Sequence, residues 1–404
     1  MKCRHCGNVG FIPFANLGSC PPSNAMLTAQ ELEAPEAYYP LVVAVCDRCF
    51  LAQVDESKAA AEIFDSDYTY FSSFSRSWLE HAERFAAMAT ERFALGSQSQ
   101  VLEIASNDGY LLQYFLARGI PVQGVDPTAN TAEVAIGKGI PTIVDFFGRG
   151  LAENRLRSSA DLIVGTNVFA HVPDINDFAA GLKAALKPGG VISLEFPHLL
   201  RLIEQVQFDT IYQEHFSYLS LGVTERILGA QGLKVFDVEE LSTHGGSLRV
   251  FAAHAEDNRP RSANVDAILA AEQRFGLRGR EIYERFQAGV DDLRDAFLGF
   301  LLDHRSARIV GYGAAAKGNT LLNYCGIKGN ERIGFVADAS PHKQGRYLPG
   351  SHIPVVAPDQ IEAKKPDFII IFPWNLRDEI AAQLDHARAW GAKFVTAIPE
   401  LRVW

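Results

Sequence analysis

The chain has no excess of positive charge, no long apolar run and no apolar leader, and each gap closes off a class of protein. Lys and Arg total 38 against 48 Asp and Glu, a formal net charge of -10 over 404 residues. An acidic surface repels phosphate backbones, so no nucleic-acid partner is expected. No stretch approaches the ~18 consecutive apolar residues of a membrane span, so no membrane partner is expected either. The opening Met1-Lys-Cys-Arg-His-Cys-Gly-Asn-Val-Gly10 lacks the apolar core of a secretory signal, and a cytoplasmic location is the expectation. Disorder is excluded by composition, with 48% hydrophobic and 21% charged residues.

Cysteine is scarce, and its placement is informative. Four of the six cysteines form two C-x-x-C pairs, Cys3–Cys6 and Cys46–Cys49. Each pair presents two thiolates from one tight turn, and two such turns complete a tetrahedral all-sulfur site suited to Zn²⁺. A closed site leaves no position for substrate, so this zinc is expected to be structural. The surrounding segment is short and rich in turns, so a metal would supply part of its folding energy.

A glycine-rich dinucleotide fingerprint is also missing. The strand Gln100–Ala105 runs into Ser106-Asn-Asp-Gly109 and then a helix, without the G-x-G-x-x-G of a nicotinamide enzyme. A second apolar strand ends at Asp126, an acid placed to hold both hydroxyls of a ribose. Further strands are expected at 142–144, 161–167 and 191–196, with helices at 130–138 and 175–186 and a turn at Lys187–Gly190. Alternation at this spacing gives a parallel sheet covered on both faces, with ligands at the carboxyl ends of its strands. Two last strands, Leu233–Leu241 and Ser247–Ala253, read as an antiparallel pair, and a parallel sheet closed this way resembles the class I methyltransferase fold. A long helical stretch at 262–302 precedes a second alternation, with strands at 308–313, 333–338, 367–372 and 393–398. Three parts are therefore expected: a zinc-binding domain at 1–66, a donor-binding α/β domain at 67–256, and a helical connector with a second Rossmann-like α/β domain at 257–404.

Several segments together resemble one family, the C-methyltransferases that act on nucleotide-linked 4-keto deoxysugars. They are the cysteine knuckles, Tyr68–Ser75, Glu103–Gly109, Asn167–Asp174, Phe208–Tyr218, His244–Arg249, Gly311–Gly318 and Phe372–Asn375. The resemblance implies S-adenosylmethionine as methyl donor, a thymidine diphosphate sugar as partner, and carbon 3 as the site of methylation. On this reading Glu103, Ala105, Ser106, Asn107 and Gly109 form the donor turn, and Asp126 with Pro127 holds the ribose. Phe146 and Phe147 flank the adenine, and Asn167 meets the methionine amine. His244, Arg249, Gly313, Lys317 and Asn319 belong to the sugar-nucleotide side, with Lys317 and the turn at Gly311–Gly318 suited to a pyrophosphate. A monomer is expected.

Methylating carbon requires an enolate, hence a base and a donor for the developing oxyanion. His215 is the candidate base, because an imidazole with a pKa near ~6.5 is available at working pH. Glu214, Tyr212, His171 and Tyr70 complete the catalytic candidates, and the residues alone do not decide which of His215, Glu214 or His171 takes the proton. Two other functions compete: an oxygen or nitrogen methyltransferase, which needs no enolate, and a zinc-containing binding protein without turnover.

Overall fold

In the computed structural model the described residues are 1–56, 59, 62, 64 and 70–404. Tyr68 and the expected boundary at 66/67 lie outside them.

The first region is a sheet and not a set of turns. Strands β1 (Phe11–Cys20), β2 (Tyr39–Cys46) and β3 (Ala52–Val54) pair antiparallel. Their inward side chains do not form a separate core: the Phe14 ring packs 5.5 Å from Tyr283 and 4.6 Å from Phe286, both in the helical connector.

The central sheet contains β4 (Val101–Ile104), β5 (Val122–Asp126), β6 (Thr142–Val144), β7 (Ala160–Thr166) and β8 (Leu186–Pro197). The short β9 (Ser217–Tyr218) leaves this sheet and joins the first one beside β3. Strands β10 (Leu233–Leu241) and β11 (Ser247–His254) return to the central sheet, whose order is β10-β11-β8-β7-β4-β5-β6. The expected antiparallel pair is present, with β11 between β10 and β8. All of β4 is buried, as expected where helices cover both faces. One such helix, Arg76–Arg92, starts where Ser75 accepts from the Trp78 N–H, and it buries Ala82, Phe85, Ala86 and Ala89 at helical spacing.

Two expected boundaries are corrected. Lys187–Gly190 lies within β8, where a register irregularity between Ala160 and Leu162 and a left-handed Gly189 (φ 76°) absorb the kink. The stretch at 262–302 is three helices, Ala263–Phe275, Glu281–Glu284 and Phe286–Asp303. Gly276, at φ 96°, ends the first by turning left-handed.

The last sheet comprises β12 (Ile309–Tyr312), β13 (Val336–Ala337), β14 (Val355–Val356), β15 (Phe368–Ile371), β16 (Lys393–Thr396) and β17 (Arg402–Val403). It is parallel except for β17, in the order β14-β13-β12-β15-β16-β17.

Candidate active site

The cysteine site is formed as expected. The sulfurs of Cys3, Cys6, Cys46 and Cys49 lie within 4.8 Å of one another, with Cys3–Cys49 at 3.4 Å and Cys6–Cys46 at 3.6 Å. A tetrahedron with ~2.3 Å Zn–S bonds has edges of about 3.8 Å, so the four thiolates fit Zn²⁺.

A cavity of about 840 Å³ opens at the carboxyl ends of β4 and β7 and is roofed by the C-terminal domain. Its volume is in the range of small-molecule sites. On the donor side its wall includes Ala105, Asn107, Pro127, Phe146, Phe147 and Asn167. Ala105, Asn107 and Asn167 have left-handed backbones, at φ 58°, 49° and 56°. Such conformations cluster where a backbone is held for a ligand. Asn167 Nδ2 is 2.8 Å from His244 Nε2, while its buried Oδ1 has no partner among the described residues. An unpaired acceptor on a cavity wall suits an ammonium group such as the methionine amine of the donor.

Four of the expected donor contacts are placed differently. Asp126 does not line the cavity. Its Oδ2 accepts from Asn107 N at 2.8 Å, and its Oδ1 accepts from Thr128 N at 2.9 Å, Thr131 Oγ1 at 3.1 Å and the Thr128 hydroxyl. These donors saturate Oδ1, while Oδ2 accepts one bond. Gly109 (φ 77°) is required by packing, since a Cβ there would stand 2.5 Å from Ile140 Cδ1. Ser106 is buried under the turn and faces Gly124. Glu103 is fully buried in β4, and that burial pushes its carboxyl well above the usual range.

Tyr212, Glu214, His215 and His171 also line the cavity, as does Tyr70, whose carbonyl accepts from Asn107 Nδ2 of the donor turn at 3.1 Å. Segment 208–216 is irregular, and the other two parts of the chain pin it. Gln213 Nε2 donates to Cys20 O at 3.0 Å and Asn24 Nδ2 to Glu214 Oε1 at 2.7 Å. From the C-terminal domain, Thr320 Oγ1 donates to Ile211 O at 2.9 Å and Trp374 Nε1 to Asp209 Oδ2 at 2.7 Å.

The tautomer of His215 follows from its partners. Its Nδ1 lies 2.9 Å from the Thr210 carbonyl, which can only accept, so Nδ1 carries the proton. Nε2 then holds a lone pair, to which the Tyr212 hydroxyl, 2.8 Å away, donates. The His171 ring meets His215 edge to face, with centroids 4.6 Å apart. Burial lowers His215 well below the ordinary imidazole value, lowers His171 to about 4 and lowers His244 to about 4. His215, His171 and His244 are therefore neutral at working pH.

Lys317 is a cation of the cavity wall. Its Nζ lies 2.9 Å from Asn375 Oδ1 and 4.5 Å from the centroid of the Trp374 ring. Burial lowers Lys317 to about 8, opposed by Asp209, and raises Asp209 to about 6, opposed by Lys317. A second lysine, Lys343, also lines the cavity and donates to Ala314 O at 2.8 Å.

Three expected substrate contacts are placed elsewhere. Asn319 donates to Ser23 O at 2.6 Å and ties the C-terminal domain to the first region. Gly313 (φ 86°) packs on Pro373. Arg249 is buried behind the wall, bonded to Glu195 Oε2 at 2.8 Å and Glu239 Oε2 at 3.1 Å. Glu195 also meets His81 Nε2, at 2.9 Å, and Trp78 stacks on His81 with centroids 5.0 Å apart. Trp78 and His81 line the cavity, and the sequence reading missed both. They sit on an ordinary amphipathic helix, where nothing local sets them apart. Asp209, Lys343 and Asn24 were missed for a similar reason, as each gains meaning only from a partner far along the chain.

Comparison with known proteins agrees with this layout. A zinc binding domain family matches residues 3–64, a methyltransferase domain family 78–238, and a C-methyltransferase C-terminal domain family 242–399. The C-methyltransferase NovU of Streptomyces niveus is 34% identical over 408 aligned residues, covering 100% of this chain and 96% of that protein. A ubiquinone biosynthesis O-methyltransferase of Bradyrhizobium sp. (strain ORS 278) is 25% identical over 35% of this chain and 65% of its own length. The magnesium protoporphyrin IX methyltransferase of Synechocystis PCC 6803, solved with its donor bound, overlays 44% of this chain and 79% of its own at a TM-score of 0.34 and 16% identity. With a full-length relative and all three of its parts matched in order, this chain belongs to the S-adenosylmethionine-dependent C-methyltransferase family that includes NovU.

Proposed function

We propose that this C-methyltransferase acts at carbon 3 of a 4-keto deoxysugar linked to thymidine diphosphate, through an enolate. The observation that carries the reading is the neutral His215–Tyr212 pair on the cavity wall. A ketone acidifies the hydrogen on its neighbouring carbon, and a neutral imidazole with its lone pair on the cavity side can remove it. His215 Nε2 takes that proton. The Tyr212 hydroxyl, released from Nε2, then donates to the oxyanion that forms at carbon 4. S-Adenosylmethionine supplies an electrophilic methyl for the resulting carbanion. Ala105, Asn107 and Asn167 hold its methionine end, and Phe146 and Phe147 the adenine. Glu214, fixed by Asn24, accepts from a sugar hydroxyl. Lys317 and Lys343, beside the start of the helix Ala316–Tyr324, support a diphosphate on the opposite wall.

The test is incubation with a thymidine diphosphate-linked 4-keto-2,6-dideoxy sugar in deuterated water, with and without the donor. The expected result is one added methyl on carbon and deuterium entering carbon 3 without the donor. His215→Ala should lower both by roughly 10²- to 10⁴-fold, the usual worth of a general base. Methylation on oxygen or nitrogen without carbon exchange would refute the enolate.

A further inference from the structure

The knuckle Cys3–Cys6 does more than present sulfur. Arg4, inside it, sends its side chain away from the cysteines and into the protein, where it is only 8% exposed. Its Nη1 donates to the Pro173 carbonyl at 3.2 Å, its Nη2 to the Val54 carbonyl, and its guanidinium lies 5.0 Å from the centroid of the Phe216 ring. Pro173 is two residues beyond His171, and Phe216 directly follows His215. The knuckle backbone grips the same loop. Asn176 Nδ2 donates to the carbonyls of Arg4 and His5 at 3.1 and 2.9 Å, and His5 Nδ1 donates to Asn176 Oδ1 at 2.9 Å. On the other side, Val54 N donates to Phe216 O at 3.1 Å, and β9 continues the first sheet.

We infer that Arg4 is a positioning residue: it clamps the His171 loop to the irregular segment that carries His215 and so sets the 4.6 Å spacing of the two imidazoles. The zinc region then acts on the chemistry through this side chain, while the metal holds the turn that carries it. A guanidinium suits the task because its planar fork reaches two carbonyls while its face lies on an aromatic ring, which an ammonium cannot do at once. The inference rests on the reading of His171 and His215 as active-site groups.

The test uses full-length, zinc-loaded Arg4→Met and Arg4→Lys, with Asn176→Ala loosening the same clamp from the loop side. Zinc content, donor affinity, turnover of the 4-keto sugar nucleotide and the imidazole proton resonances of His171 and His215 are measured. Misplacing reacting groups by about 1 Å can cost on the order of 10²-fold. Zinc and donor affinity should be unchanged in Arg4→Met, turnover should fall at least ~10-fold, and both imidazoles should shift, with Arg4→Lys recovering part. Asn176→Ala should move the same resonances, and this arm needs no substrate. If Arg4→Met cannot be loaded with zinc, Asn176→Ala decides alone. Folded variants with parental turnover and unmoved resonances would overturn the clamp. Parental turnover in His215→Ala and His171→Ala would instead overturn the reading beneath it.

Discussion

The two Rossmann-like sheets solve one local problem in the same way and then diverge. In each, an acid at the end of the second strand reaches back to the turn after the first. Asp126 accepts from Asn107 N at 2.8 Å and from Thr128 N, two residues on, at 2.9 Å. Asp338 accepts from Ala314 N at 2.7 Å and from Ser340 N, two residues on, at 2.8 Å. The shared carboxylate is a latch that pairs N–H groups the strand ends leave open. What differs is the side chains that the latched turns offer the cavity. The donor turn presents Asn107 beside Asn167. The C-terminal turn presents Lys317, with Lys343 nearby. On the proposed reading the first turn faces the donor and the second the diphosphate, so the acid alone does not reveal which ligand a turn takes.

The largest expected effect breaks that contrast in half. Lys317→Met should weaken thymidine diphosphate binding roughly 30-fold, the ~2 kcal/mol of one charge-assisted contact, and leave donor affinity unchanged. Asn167→Gly keeps the left-handed backbone and removes the amide. It should weaken donor binding about tenfold and leave thymidine diphosphate untouched. Calorimetry with each ligand on each variant reads all four values, and crossed effects would mean that the two walls are not chemically separate. The pH dependence sharpens the point. Burial brings Lys317 to about 8, so its charge is lost as pH rises through about 8, and diphosphate affinity should fall across that interval.

A smaller effect probes the latches. Asp126→Asn turns one acceptor into a donor against four buried N–H or O–H groups, a loss of about 1.5 kcal/mol. Asp338→Asn faces fewer donors, and its Lys343 neighbour is 3.9 Å away. It should cost less. Thermal melting of the full chain should rank the two in that order, and equal or reversed losses would mean that the number of donors does not set the strength of a latch.

These differences mark where the sequence stops being readable. Strand–turn–helix periodicity found the strands of the two α/β sheets, and the doubled C-x-x-C located the thiolates, because both signals are local, while the first sheet went unread. The motif Tyr212-Gln-Glu-His215 supplied site candidates, and the structure places Tyr212, Glu214 and His215 on the cavity, but the proton on Nδ1 depends on Thr210 O and on a fold in the loop that no periodicity encodes. Asp126 has a second task that the sequence did not announce. An acid ending a strand is equally suited to a ribose and to backbone N–H groups, and only the path of the neighbouring turn decides between them. Arg249 looked like a cavity residue because it follows the Gly-Gly turn, yet strand alternation and Glu195 draw it behind the wall. His81 and Trp78 left no local trace, because their partners lie on other elements.

The smallest expected effect concerns two buried charges below the C-terminal turn, Asp209 and Lys317, which act on each other through space while bonding to Trp374 and Asn375 respectively. Burial raises Asp209 to about 6 and lowers Lys317 to about 8, each opposed by the other's charge. A carboxyl raised in the folded state adds stability below its unfolded value of about 3.9 and loses it as pH rises through about 6. A lysine depressed in the folded state adds stability above about 10.4 and loses it as pH falls through about 8. Between those values both are charged, and the protein bears the desolvation of two ions without either contribution. Buried charges held this way are weak contributors to stability. Asp209→Asn with Lys317→Met keeps volume and an acceptor for Trp374, and should therefore melt at or slightly above the parent at pH 7. Lys317→Met alone strands the buried carboxylate and should melt below the double variant. If the double variant instead melted several degrees below the parent, the pair would be a structural latch like Asp126. The contrast between the two turns would then lie in Lys343 and the helix start alone.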